Sequence, residues 1–118
     1  MWRPSSEDWE AATAFWADGI VLHAQGRHPL AGNFFGKQAF LDHYSRVSAE
    51  LGGTIELVEV YDVLFSAAYA VALVKEREVR GKRSLMFNRV NVYRMRDGKI
   101  TELWSYDSDP YALDEFWA

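Results

Sequence analysis

Residues 54–107 hold four long runs of strand-forming residues, separated by turns too short to cross a sheet. The runs are Thr54–Phe65, Tyr69–Arg80, Arg83–Met95 and Lys99–Asp107. The turns fall at Ser66–Ala68, Gly81–Lys82 and Asp97–Gly98. Asp-Gly between two such runs is a strong hairpin signal. Strands joined this tightly must run antiparallel, because a parallel return needs a crossover of a dozen or more residues. A four-stranded meander is therefore the frame on which the rest of the chain has to pack.

The segments around it supply helices. Ser5 or Ser6 can cap a first helix, with Glu7 and Asp8 in its first turn. Trp9, Ala12, Thr13 and Trp16 share a face, and the helix is expected to end at Asp18–Gly19. Ile20–His23 reads as a short strand, followed by a loop with a second short strand at Asn33–Phe35. Lys37–Leu51 is the clearest helix, since Phe40, Tyr44, Val47 and Leu51 recur at helical spacing. Gly52–Gly53 supplies its stop. Asp109–Trp117 reads as a last helix, with Asp109 as cap and Pro110 at its first position. Helices with a single apolar stripe must cover one face of the sheet. The expectation is one α+β domain spanning residues 1–118. Its long antiparallel sheet should twist and curl into a half-cone, with helices on the concave face and a pocket at the mouth.

Composition narrows the function. A formal net charge of −4 offers no electrostatic footprint for nucleic acid. No apolar run approaches the ~18 residues of a membrane span. The start, Met1-Trp2-Arg3-Pro4, does not read as a signal peptide, so a cytoplasmic protein is expected. The absence of cysteine excludes disulfides, thiolate metal sites and a cysteine nucleophile. His23 and His28 have no carboxylate at ligand spacing, so no metal site is expected, and no nucleotide fingerprint calls for a cofactor. His43 lies beside the apolar stripe of its helix and is expected to be exposed. Aromatic residues reach 15% of the chain, with five Trp, six Tyr and seven Phe. That surplus of ring surface suits a cavity wall or a subunit contact.

Three stretches carry a family resemblance: "FWADGIVLHAQGRHPLAGNFFGKQAF" (Phe15–Phe40), "VALVKEREVRGKR" (Val71–Arg83) and "VNVYRMRDGKITELWSYDSDPYALDEFW" (Val90–Trp117). Together they resemble the SnoaL-like branch of the nuclear-transport-factor-2-like superfamily, which includes ketosteroid isomerase and limonene-epoxide hydrolase. The resemblance implies a cone-shaped fold with a pocket for a small hydrophobic molecule, and cofactor-free proton transfer within it. Members usually begin with a long helix ahead of the "FWADG" segment. Only eight residues precede Trp9 here. The implied loss of that helix would expose apolar sheet, which favours a homodimer or higher homo-oligomer.

The candidate catalytic residues are His23, Asp107 and Asp109. A neutral imidazole titrates near operating pH and suits a general base, although His23 could equally be bonded to a loop carbonyl. The resemblance implies an acid/base carboxylate at the end of the last strand, where Asp107 and Asp109 stand; Asp109 also reads as a plain helix cap. The candidate ligand-binding residues are Phe40 and Tyr44 on the helix, Asn88, and Glu102, Trp104 and Tyr106. The last three depend on strand parity. If Ile100 faces the helices, simple alternation brings Glu102, Trp104 and Tyr106 into the pocket, with Arg89 or Asn91 as a partner for Glu102. With the opposite parity Asp107 is inside, and the aromatics form a subunit interface. "KEREVRGKR" (Lys75–Arg83) lacks the Arg-x-Asp pair of limonene-epoxide hydrolases, and its charges read best as a solvated strand end. The expected function is a small isomerase, cyclase or hydrolase acting on a polycyclic or terpenoid-like molecule. The alternative is a non-catalytic ligand-binding or assembly module.

Overall fold

The computed structural model describes residues 13–50 and 55–118. Six strands form one sheet: β1 (Trp16–Ala24), β2 (Gly32–Phe35), β3 (Ile55–Phe65), β4 (Tyr69–Arg80), β5 (Arg83–Arg96) and β6 (Lys99–Asp107). Two helices, α1 (Lys37–Glu50) and α2 (Pro110–Trp117), complete the described chain. The sheet order is β2-β1-β6-β5-β4-β3. The predicted meander β3–β6 is antiparallel throughout. β1 adds to its far side parallel to β6, and β2 pairs antiparallel with β1. The sheet is therefore mixed, and it stays open.

Local chemistry explains the elements. The β5–β6 turn places Asp97 at φ 52° and Gly98 at φ 76°, the left-handed pair that a two-residue hairpin requires. Asp109 caps α2 by accepting a hydrogen bond from the Ala112 N–H at 3.0 Å. β1 begins at Trp16, so residues 16–19 are strand and not the end of a helix reaching the expected Asp18–Gly19. Trp16 and Ile20 face the core from an irregular strand, which imitates helical spacing in the sequence. Trp9, Ala12 and Gly52–Gly53 lie outside the described residues.

The core has two parts. Ile20, Leu22, Phe40 and Leu103 form one cluster where α1 crosses β1 and β6, joined by Trp16, Phe34, Tyr44, Tyr93 and Ile100. Leu30, Phe87, Leu113, Phe116 and Trp117 form the second, under α2. Arg80 and Arg83 clamp the end of α2 by donating to the carbonyls of Phe116, Ala118 and Glu115. The loop 25–31 folds down onto α2, where the Arg27 N–H donates to Asp114 at 2.7 Å. Gly26 permits this approach: its φ is +123°, and a Cβ there would lie 2.6 Å from the Asp114 carboxylate.

One irregularity decides which residues face inward. On β5 and β6, Arg94 pairs with Glu102 and the next residue, Met95, pairs with Ile100. Thr101 is the extra residue of a β-bulge, held by its hydroxyl donating to the Arg94 carbonyl at 3.3 Å. The bulge flips the parity of everything after it. Ile100 is in the core, and so is Leu103.

Phe40 is the larger of the two most buried side chains, at 1% exposure. Phe40→Ala is expected to destabilise the fold by about 3–5 kcal/mol in urea unfolding.

Candidate functional site

Between the helices and the sheet lies a cavity of about 140 Å³. Its apolar wall is Leu22, Leu30, Val47, Leu103, Leu113 and Trp117. Its polar wall comes from alternate residues of three adjacent strands: Glu76 and Glu78 of β4, Arg89, Asn91 and Tyr93 of β5, and Ser105 and Asp107 of β6. Gln25, His28, His43 and Tyr44 close the other side.

Arg89 is the hub. Its Nε donates to Asp107 at 2.7 Å and its Nη1 to Glu76 at 2.9 Å. The Asp107 side chain is 2% exposed. Burial works against the Arg89 charge, but the charges of Glu76 and Asp107 hold its pKa above the ordinary value. Burial raises the Glu76 carboxyl, and the adjacent guanidinium only partly offsets this. Glu78 has no such direct partner: the Trp117 Nε1–H donates to it at 3.1 Å. Burial pushes the Glu78 carboxyl up to about 7. That value lies near neutrality, and beside it Arg89 is paired with Glu76 and Asp107.

The remaining polar groups stay neutral. Burial draws His28 below its usual range, and its Nδ1 accepts from the Leu30 N–H at 3.2 Å. Burial lowers His43 to about 4 and pushes the Tyr44 phenol up to about 12. Ser105 donates to Asn91 at 2.8 Å. Among the described residues, no group of three His, Cys, Asp or Glu side chains could hold a metal ion.

The cavity holds only part of the set expected from the sequence. Asp107 and Tyr44 line it. Phe40 is buried in the core beneath it. Asp109 is an exposed helix cap, so it does not meet His23 in one pocket. His23 alternates with Leu22 and Ala24, which face the cavity, and so it lies on the outer face of the sheet. There its ring bonds Asn33 at 2.7 Å and Glu102 at 2.5 Å, and stacks on Trp104. Burial opposes its charge, but the hydrogen bonds to Glu102 and Asn33 outweigh that and raise its pKa. Glu102, Trp104 and Tyr106 share this outer face because the Thr101 bulge reverses their expected parity. Glu102 thus pairs with His23 rather than with Arg89 or Asn91. Asn88 also faces outward and accepts from the Tyr61 hydroxyl at 2.8 Å.

Glu76, Glu78, Arg89 and His43 were not among the expected site residues. Glu76 and Glu78 sit inside "KEREVRGKR", where charge density suggested solvent. The overlooked signal is alternation: both share a face with buried Ala70 and Val74. His43, expected to be exposed, is 8% exposed because Phe34 of β2 covers it.

With this geometry in view, relatives can be compared. The pattern of the SnoaL-like domain matches residues 5–103. The chain belongs to the SnoaL-like domain family. Rv0034, an uncharacterized protein of Mycobacterium tuberculosis, is 28% identical over 107 residues, covering 90% of this chain and 81% of that protein. Among solved structures, Bal32a from a soil-derived mobile gene cassette superposes with a TM-score of 0.88 at 27% identity, over 96% of this chain and 86% of the other. A putative SnoaL-like polyketide cyclase of Mesorhizobium loti shares the fold at a TM-score of 0.68 and 20% identity, over 85% and 86%. TerC, co-crystallized with polyporic acid, shares it at 0.79 and 17% identity, over 92% and 85%. No helix among the described residues is long and apolar enough to cross a membrane.

The raised Glu78 pKa has a signed consequence for this SnoaL-like chain. The folded state holds the proton more tightly than the unfolded state, whose carboxyl titrates near 4.5. The stability that Glu78 contributes is therefore complete below that value and is lost as pH rises to about 7. Glu78→Gln is expected to remove this loss. The variant should be more stable than wild type at pH 8 by up to about 3 kcal/mol, and the gap should close by pH 5, as read by urea unfolding across pH.

Proposed function

We propose that this protein binds a small molecule with an apolar body in the cavity and acts on it by cofactor-free proton transfer, with Glu78 as the acid/base. The reaction class is isomerisation, cyclisation or water addition. One observation carries the reading: the Glu78 carboxyl is buried at the cavity wall without a cation in direct contact, and that burial pushes its pKa up to about 7. A general acid or base is most effective when its pKa lies near the working pH. Arg89, held between Glu76 and Asp107, gives developing negative charge on the substrate a preorganised counter-charge. Asp107 is then a positioning residue, because its oxygen is engaged by Arg89. Membership of the SnoaL-like family supports a small-molecule role, as do fold relatives described as a putative polyketide cyclase and as a protein crystallized with polyporic acid. The soluble cytoplasm is the compartment this reading assigns.

The outward face supports a second copy of the chain as partner. Phe35, Met86 and Tyr106 are exposed on this face, and burying such a face is a common reason for homodimers. A dimer in light scattering that Tyr106→Glu converts to monomer is the expected result.

The acid/base reading is tested with steroids, terpenoids and aromatic polyketides in a thermal-shift screen, followed by turnover assays on any ligand found. At least one class should raise the Tm. Glu78→Gln should then lower kcat by about 10²–10⁴-fold while the ligand still binds. A flat response from all three classes, or undiminished turnover in the variant, sinks the proposal.

A further inference from the structure

A carboxyl that is to pass a proton has to be held in one orientation while one of its oxygens stays available. Of the two oxygens of Glu78, Oε2 accepts from the Trp117 Nε1–H at 3.1 Å. Both residues are buried, at 4% exposure each. Among the described residues no hydrogen bond is made to Oε1. Three charged groups lie near the carboxyl: Arg89 of β5, Asp107 of β6 and Glu76 of its own strand. None of them forms an ion pair with it, because Arg89 is taken up by Glu76 and Asp107. The indole is what orients it.

The indole is itself seated by the strand that carries Glu78. Arg80 follows on β4 by one alternation and shares the face of Glu78. Its guanidinium lies over the Trp117 ring, 5.5 Å from the centroid, and its Nη1 donates to the Phe116 carbonyl at 3.1 Å. Arg83, opposite Arg80 on β5, donates to the same carbonyl at 2.9 Å. The His28 ring stacks on Trp117 with centroids 6.2 Å apart. The end of α2 is thus pinned to β4 at both Glu78 and Arg80. An indole N–H is a donor only, so it can hold an oxygen but can neither take nor supply the proton. It donates more strongly to an ionised carboxylate than to the neutral acid. In the acid form the bond to Oε2 is best kept with the proton on Oε1.

On the reading that Glu78 is the acid/base, we propose that Trp117 is its positioning residue: the indole N–H fixes Oε2 and leaves Oε1 as the oxygen that exchanges the proton with the ligand. Trp117 acts through Glu78 and does not touch the reacting atoms. Losing the N–H removes a bond that favours the ionised form, which raises the Glu78 titration midpoint. Losing packing alone does the opposite, because water entering beside a buried carboxyl lowers it. The sign of the change separates a positioning role from a structural one.

The test replaces Trp117 in the full chain with 3-benzothienylalanine, which keeps the fused ring and lacks the N–H. Trp117→Phe is the second variant, should the sulfur ring disturb packing. The Glu78 carboxyl is followed by ¹³C NMR across pH, assigned with Glu78→Gln. Turnover is followed across pH on any ligand found with the steroid, terpenoid and polyketide panel. The Glu78 midpoint is expected to move from about 7 to about 8 or higher. The pH profile of kcat should move up with it, and kcat at its optimum should fall about tenfold with KM little changed, since the carboxyl is no longer oriented. A midpoint that stays or falls in both variants overturns the proposal, and so does an unmoved kcat profile in both. If that happens while Glu78→Gln still abolishes turnover, this inference alone fails and the acid/base reading stands. If no ligand is found, or Glu78→Gln leaves turnover undiminished, both fail.

Discussion

A buried guanidinium must be paired or the fold cannot tolerate it, and Arg89 organises the centre of this protein on that condition. Its partners come from both neighbouring strands, Glu76 of β4 and Asp107 of β6. The pairing requires β4, β5 and β6 to keep their register, since a one-residue slip would turn any of the three side chains to the other face. A charged frame of this kind is not a strong source of stability, because desolvation cancels much of the Coulomb gain. It is a source of specificity: it fixes the cavity wall and leaves Glu78 as the one carboxyl near it without direct contact to the guanidinium.

The two faces of the sheet have divided the titratable groups between them. Inside, burial keeps the histidines neutral and lifts Glu76 and Glu78. Outside, His23 gains Glu102 and Asn33 and moves the other way. Both ring nitrogens of His23 meet oxygen acceptors, which suits the charged imidazolium and ties β1 to β2 and β6. The same residue type thus serves as a neutral cavity wall on one face and as a strand clasp with a raised pKa on the other, with only position deciding which.

Much of the architecture was legible along the chain. The bounds of β4 and β6 follow from the turns, and the Asp97–Gly98 hairpin follows from backbone sterics that act within two residues. Helix α1 follows from the spacing of Phe40, Tyr44 and Val47, and the Asp109 cap from the proline beside it. These features depend on residues near one another in sequence. The site was legible only in fragments. Asp107 and Tyr44 are in the cavity, but Glu102, Trp104 and Tyr106 are not, because the bulge at Thr101 shifts their parity and no residue type announces a bulge. Glu76 and Glu78 looked solvated, because a charge run is read by composition until the partner that buries it is known.

The sequence by itself determined an α+β chain with an antiparallel meander, a helix to cover it, and a SnoaL-like signature. Hydrophobic period, turn chemistry and capping are local and leave little choice. Tertiary structure alone decided which face each strand residue occupies, and so which carboxyls are dry. Burial and register belong to strand pairs and to the helices laid over them. A proton near neutrality on Glu78 is a property of that assembled environment, not of any stretch of the chain that forms it.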